Sequence, residues 1–278
     1  MSTTLTPPPV TPAPASPEPP SSARAMAIIA MILGAVVIIS TATFSAIGAA
    51  FSGVHTTSYA VDASNVNSID VQLAAGGLQV EYAGVEKAEL DVQSSVSSGP
   101  WTLRVDGSKL VVASPDNRFG WPNLFGMADK AVLRLPTSLQ GMDATMRVAA
   151  GSLTVNGQFG DVGLDVQAGS ASVAGTASGL DAKVSAGSGD INVEGVVRAD
   201  LTVEAGSMSV AIRGGQPDST AAHVSAGSLD LAVPQGSYDV TSNVSAGRLD
   251  NQLGSTPGAS SIIRVDMSAG TMTLRPSD

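Results

Sequence analysis

The side chains with the most obvious chemical potential are Asp190, Asp230 and Asp250, each three residues after the glycine of a recurring Ala-Gly dipeptide. If the units carrying them stack in sequence order, Asp230 and Asp250 fall on neighbouring units, and Asp190 lies two units from Asp230. Two carboxylates that close could share a cation or divide into an acid and a base. They could equally be solvated surface charges, the ordinary state of exposed aspartates.

Little else in the chain supports catalysis. There are two histidines, His55 and His223, and neither has a candidate partner nearby in sequence. His223 fits an outward strand position between Thr202 and Asn243. The recurring serines sit in Ala-Gly-Ser corners, where small polar residues are favoured for structural reasons. No Gly-x-Ser-x-Gly elbow, Walker loop or dinucleotide motif is present. The calcium-solenoid pattern Gly-Gly-x-Gly-x-Asp is approached once, at Gly187-Ser188-Gly189-Asp190. Acidic-glycan cleavage needs clustered Asp, Arg and Lys, but the four lysines, Lys87, Lys109, Lys130 and Lys183, are scattered. The absence of Cys excludes disulfides, thiol chemistry and Cys-ligated zinc. A net charge of −10 argues against nucleic acid as a partner. The expectation is a protein that is not an enzyme and that takes no cofactor or metal, apart from the weak cation site offered by Asp230 and Asp250.

The elements that position these residues are internal repeats. Ala-Gly ends at Gly76, Gly151, Gly169, Gly187, Gly206, Gly227, Gly247 and Gly270, and from Gly151 the steps are 18, 18, 19, 21, 20 and 23 residues. Three residues before each glycine the column is apolar: Leu73, Val148, Val166, Val184, Val203, Val224, Val244 and Met267. Four before, it is polar, and Arg147, Asp165 and Lys183 become neighbours of alternating sign. After the glycine the alternation resumes, apolar at the second place, polar at the third and apolar again at the fourth, except for Asn251. Period two marks strands with one face inside. A fixed corner at a nearly constant step points to stacked coils rather than a meander. The corner glycine can take positive φ, and its alanine suits a crowded inner bend. The fold class is therefore mainly β, a β-solenoid of stacked parallel coils over residues 146–278, with an antiparallel β-sandwich as the alternative.

Upstream, residues 58–145 are less regular. Strand patterns cover Asn65–Val80, Lys87–Val96, Trp101–Val105, Lys109–Ala113 and Lys130–Leu135, and suit membrane-proximal coils or a cap. The loop 114–129 concentrates Phe119, Trp121 and Phe125. Those rings could contact a partner or a membrane, or fold back to plug the end of the stack. Residues 54–57 read as a short linker. Residues 24–53 carry no charge after Arg24 and include an apolar run long enough for a transmembrane helix, about 20 residues. Arg24 on its N-terminal side puts the N-terminus in the cytoplasm and the repeats outside the cell; a cleaved signal peptide gives the same external placement. Residues 1–23 hold most of the prolines and read as a disordered cytoplasmic tail.

The series Val166-Gln167-Ala168-Gly169-Ser170, Val184-Ser185-Ala186-Gly187-Ser188, Val224-Ser225-Ala226-Gly227-Ser228 and Val244-Ser245-Ala246-Gly247, with the segment from Val233 to Val240, resembles the DUF4097 group of adhesin-like bacterial envelope proteins. The resemblance covers roughly Ser58 to Leu274. It implies a membrane-anchored β-solenoid, loosely associated with surface adhesion or envelope-stress signalling, and no catalytic residues. The partners to expect are the membrane itself and an envelope protein or wall polymer.

Overall fold

The structure is a computed structural model, and it describes residues 54–95, 99–115 and 129–277. The first strands are β1 (Val54–Val61), β2 (Ser68–Leu73), β3 (Gly77–Ala83), β4 (Ala88–Ser95), β5 (Thr102–Asp106), β6 (Lys109–Ala113) and β7 (Lys130–Pro136). Then come β8 (Met142–Val148), β9 (Ser152–Val166), β10 (Ser170–Thr176), β11 (Gly179–Val184), β12 (Ser188–Glu194), β13 (Arg198–Val203) and β14 (Ser207–Arg213). The last are β15 (Ser219–Val233), β16 (Tyr238–Val244), β17 (Arg248–Asn251) and β18 (Ser261–Pro276).

Each coil places one strand before its Ala-Gly corner and one after it. The strands before the corner stack into sheet A, and those after it into sheet B. Both ladders through the repeats are parallel and in register, as in Val166↔Val184↔Val203↔Val224 on sheet A and Val155↔Val173↔Ile191↔Val210↔Leu231 on sheet B. This is the expected β-solenoid, and parallel pairing sets aside the antiparallel sandwich. The apolar columns line a continuous interior, in which Val148, Val166, Val184 and Val203 are fully buried. Burying each such side chain contributes about 1.5–3 kcal/mol relative to exposure. Because the alternation holds one face inward, a one-residue slip would turn the whole column into water.

The glycine column is needed chiefly for space. Only Gly76, Gly151, Gly247 and Gly270 take left-handed φ, between 94° and 124°. Gly169, Gly187, Gly206 and Gly227 do not, yet a Cβ on any of them would run into the carbonyl oxygen of the glycine one rung below. The neighbouring alanines correct the expectation of an inner bend. Ala150, Ala168, Ala186, Ala205 and Ala226 are exposed on the outside of the corner.

Coil order in space departs from coil order in sequence at both ends. β18 lies between β15 and β16–β17, paired in parallel with all three. The coil formed by β16 and β17 is therefore outermost, although it precedes β18 in the chain. At the other end, β2 and β3 sit between β6–β7 and β8–β9. Antiparallel strands then close that end: β5 beside β6 on sheet A, and β4 then β1 beyond β7 on sheet B. Residues 54–57, expected as a linker, are the first half of β1. Trp101 is buried at this end, with its indole N–H 3.4 Å from the Asp129 carboxylate.

Phe119, Trp121 and Phe125, the Pro-rich segment 1–23 and the apolar segment 24–53 lie outside the described residues. Among the described residues, no helix is long and apolar enough to cross a membrane.

Candidate functional site

Sheet B presents a furrow of about 550 Å³ across its outer face. It arises from the pleat. The first and third residues after each glycine point out, and the second points in, so two rows of side chains flank a backbone floor. One row is Ser152, Ser170, Ser188, Ser207, Ser228 and Thr271 in register. The other is Thr154, Ser172, Asp190, Ser209, Asp230 and Thr273. The backbone of Leu153, Ala171, Gly189, Met208 and Leu229 forms the floor between the rows. Rungs repeat about every 4.8 Å. The furrow thus offers hydrogen-bond donors and acceptors at a fixed pitch.

The aspartates do not meet as expected. Thr273 pairs with Asp230 on one side and with Asp250 on the other, so the two carboxylates are two rungs apart. The inversion of coil order is the cause, because β18 enters between their strands. Asp230 is held instead by Arg275, whose Nε and Nη2 reach its two carboxylate oxygens at 2.9 and 3.4 Å. Asp250 accepts from Gln252 Nε2 at 3.0 Å. Asp190 stands two rungs from Asp230, as expected, with Ser209 between. Among the described residues, no group of three or more His, Asp or Glu is placed to hold a metal ion.

Adjacent carboxylates do occur, on sheet A. Asp181 and Asp200 pair across neighbouring rungs, six residues before Gly187 and Gly206. Burial, and then the charge of Asp200, raise the Asp181 pKa above the usual carboxylate value. Carrying the column alignment two places further upstream would have found this pair.

The outer face of sheet A is a charge ladder. Arg147, Asp165 and Lys183 are rung neighbours, as read from the sequence. The closest ion pairs, however, run to other partners: Lys183 Nζ to Glu204 at 2.7 Å and Arg147 Nη1 to Asp70 at 3.5 Å. Exposed pairs of this kind chiefly set register. His223 lies between Thr202 and Asp266, not Asn243, again because β18 intervenes, and its Nδ1 is 3.8 Å from the Asp266 carboxylate. It is on the sheet opposite the serine rows, so no described serine in the furrow has a histidine base.

Toward the antiparallel end, Tyr82 lies over Gly157, where a Cβ would strike its ring. Its hydroxyl donates toward the carbonyls of Leu139 and Gln158 at 3.2 and 3.4 Å, and burial pushes its pKa up to about 12. This is a packing role.

Similar solved structures include a candidate adhesin from Bacteroides fragilis, 14% identical, with 80% of this chain and 96% of that one aligned and a TM-score of 0.44. A candidate cell adhesion protein from Clostridium sporogenes is 11% identical over 81% of this chain and 100% of that one, with a TM-score of 0.37. A candidate lipid-binding protein from Parabacteroides distasonis is 12% identical over 81% and 97%, with a TM-score of 0.32. No curated protein matches. The profile of the Toastrack DUF4097 family matches residues 64–258, more than half of the chain and all the coils from β2 to β17. The chain belongs to the Toastrack DUF4097 family.

Proposed function

We propose that this chain is a non-catalytic protein of the bacterial cell surface, anchored by its apolar segment 24–53, and that the furrow on sheet B binds an extended envelope polymer. The N-terminal tail is cytoplasmic in this reading, and the coils stand outside the cell. The observation that carries it is the pair of polar rows held in register over six rungs. Short hydroxyl side chains lose little rotamer entropy when they engage a ligand. A periodic polymer can meet the same donors on successive rungs, so weak contacts add along its length. Among the described residues that line the furrow there is no arginine or lysine, and its Asp230 is paired with Arg275.

Binding of the purified full chain to isolated wall polymer tests the proposal. Ser188→Arg with Ser207→Arg would fill the middle of the furrow and abolish retention, whereas Thr202→Arg on sheet A would leave it intact. Equal retention of all three proteins would refute the furrow as the site. Anchoring is tested separately: the chain should resist alkaline extraction from membranes, and external protease should reach the coils of intact cells.

A further inference from the structure

The two ends of the stack are finished differently. One is covered by the antiparallel strands β1, β4 and β5. At the other, the outer edge of β16 is covered only at its start. There the Thr256 N–H donates to the Tyr238 carbonyl at 2.8 Å, the Val240 N–H donates to Ser255 Oγ at 3.1 Å, and the Ser255 hydroxyl donates to the Val240 carbonyl at 3.2 Å. Beyond Val240, no described strand pairs with the outer edge of β16 or β17. Val244 is 39% exposed, while its column mates Val224 and Met267 are 1% and 2% exposed. Leu249 is likewise half-exposed where Leu229 and Met272 are buried.

We propose that this edge pairs with the same edge of a second copy of the chain, antiparallel across a two-fold axis at Leu249. Three observations select that occupant. First, the Gln252 N–H is turned inward to the Leu274 carbonyl. By strand alternation, Leu249 therefore points both its N–H and its C=O outward, and two copies exchange both hydrogen bonds, as a hydrogen-bonded antiparallel pair does. Second, the sequence Arg248-Leu249-Asp250 is complementary to itself in that register. Arg248 stands opposite the partner's Asp250, and Asp250 opposite the partner's Arg248, on the outer face. Arg248 has no ionic partner among the described residues. Third, Val244 and Leu249 stand three residues before and two after Gly247, so they face each other across the interior. One axis can pass near both and close the open end of the apolar interior. Because β1 lies at the other end of the stack, the two β1 strands stand at opposite ends of the pair, as a contact between two facing cell surfaces requires.

The test is sedimentation of the full chain in detergent, for the native sequence and charge variants. Arg248→Asp and Asp250→Arg each create two like-charge contacts per dimer and should weaken association by roughly tenfold or more. The double variant Arg248→Asp/Asp250→Arg restores complementarity and should restore association. Since the chain has no Cys, Leu249→Cys should be joined between two copies by a short bismaleimide, and Ser172→Cys should not. Unchanged melting temperatures would show that the exposed charge variants fold. A native chain that stays monomeric, single variants that associate as the native chain does, or a double variant that fails to recover would each overturn the proposal.

Discussion

Replacing Gly206 by Ala tests whether the glycine column exists for space. Its φ lies outside the left-handed region, so the backbone conformation itself accepts alanine. The obstacle is the rung below. The new Cβ would lie 2.7 Å from Val184 Cγ1 and 3.0 Å from the Gly187 nitrogen, and would strike the Gly187 carbonyl oxygen. Val184 can rotate. The carbonyl cannot, because it accepts the Ser207 N–H at 3.0 Å within the ladder. The rungs must separate locally, which costs about 1–3 kcal/mol for overpacking and roughly 1 kcal/mol for a weakened ladder hydrogen bond. For a domain of this size each kcal/mol lowers the melting temperature by about 2–4 °C, so the variant should melt roughly 4–16 °C below the native chain. Gly215→Ala is the control, with nothing within 4 Å of its Cβ and φ outside the left-handed region. It should melt at or slightly above the native temperature, because alanine restricts the unfolded chain. Far-ultraviolet circular dichroism follows both. Coincident melting of the two variants would mean that the glycines do not stack in contact.

Three further outcomes follow from particular contacts. Tyr82→Phe removes the hydroxyl that bonds the Leu139 and Gln158 carbonyls and should cost about 1 kcal/mol in denaturant unfolding; in the native chain this phenol should ionise near pH 12 in an ultraviolet titration. Asp181→Asn should raise the melting temperature at neutral pH. The Asp181 pKa is raised in the fold by burial and by Asp200, so the stability it contributes is full below its ordinary value of 3.8 and is lost as pH rises through the higher folded value; the gap between variant and native chain should therefore close on acidification. Deleting residues 261–278 removes the strand to which β16 and β17 are paired, and hydrogen exchange should show 238–251 losing protection while 142–213 keep theirs.

Most of the stack was legible because its signal is repetitive. The inward column through Val148, Val166, Val184, Val203 and Val224 follows from period two around a fixed corner, and one register explains both sheets. Repetition also hid what the sequence could not reveal. Rungs of similar chemistry can stack in more than one order, and nothing local to Ser261–Pro276 distinguishes a strand that follows its predecessor from one that inserts beneath it. The strand β18 does the latter, so Asp230 and Asp250 are separated and His223 gains Asp266 as neighbour. The polar residues Ser242 and Asn251, at places where other coils carry apolar side chains, are the trace of an outermost coil that could have been noticed. The corner alanines were misplaced because a small residue fits either a crowded inside or an exposed outside bend. The two serine and threonine rows were visible as columns, but only the pleat of sheet B turns them into a furrow.

Which rungs touch decides where every outward side chain of the stack stands. Cysteine pairs placed in this Cys-free chain, joined by a thiol crosslinker that spans one rung of about 4.8 Å but not two, report it directly. Asp230→Cys with Thr273→Cys and Asp250→Cys with Thr273→Cys should each crosslink within the chain, and Asp230→Cys with Asp250→Cys should not. Efficient crosslinking of the last pair, with failure of the first two, would contradict the parallel stack in which β18 lies between β15 and β17.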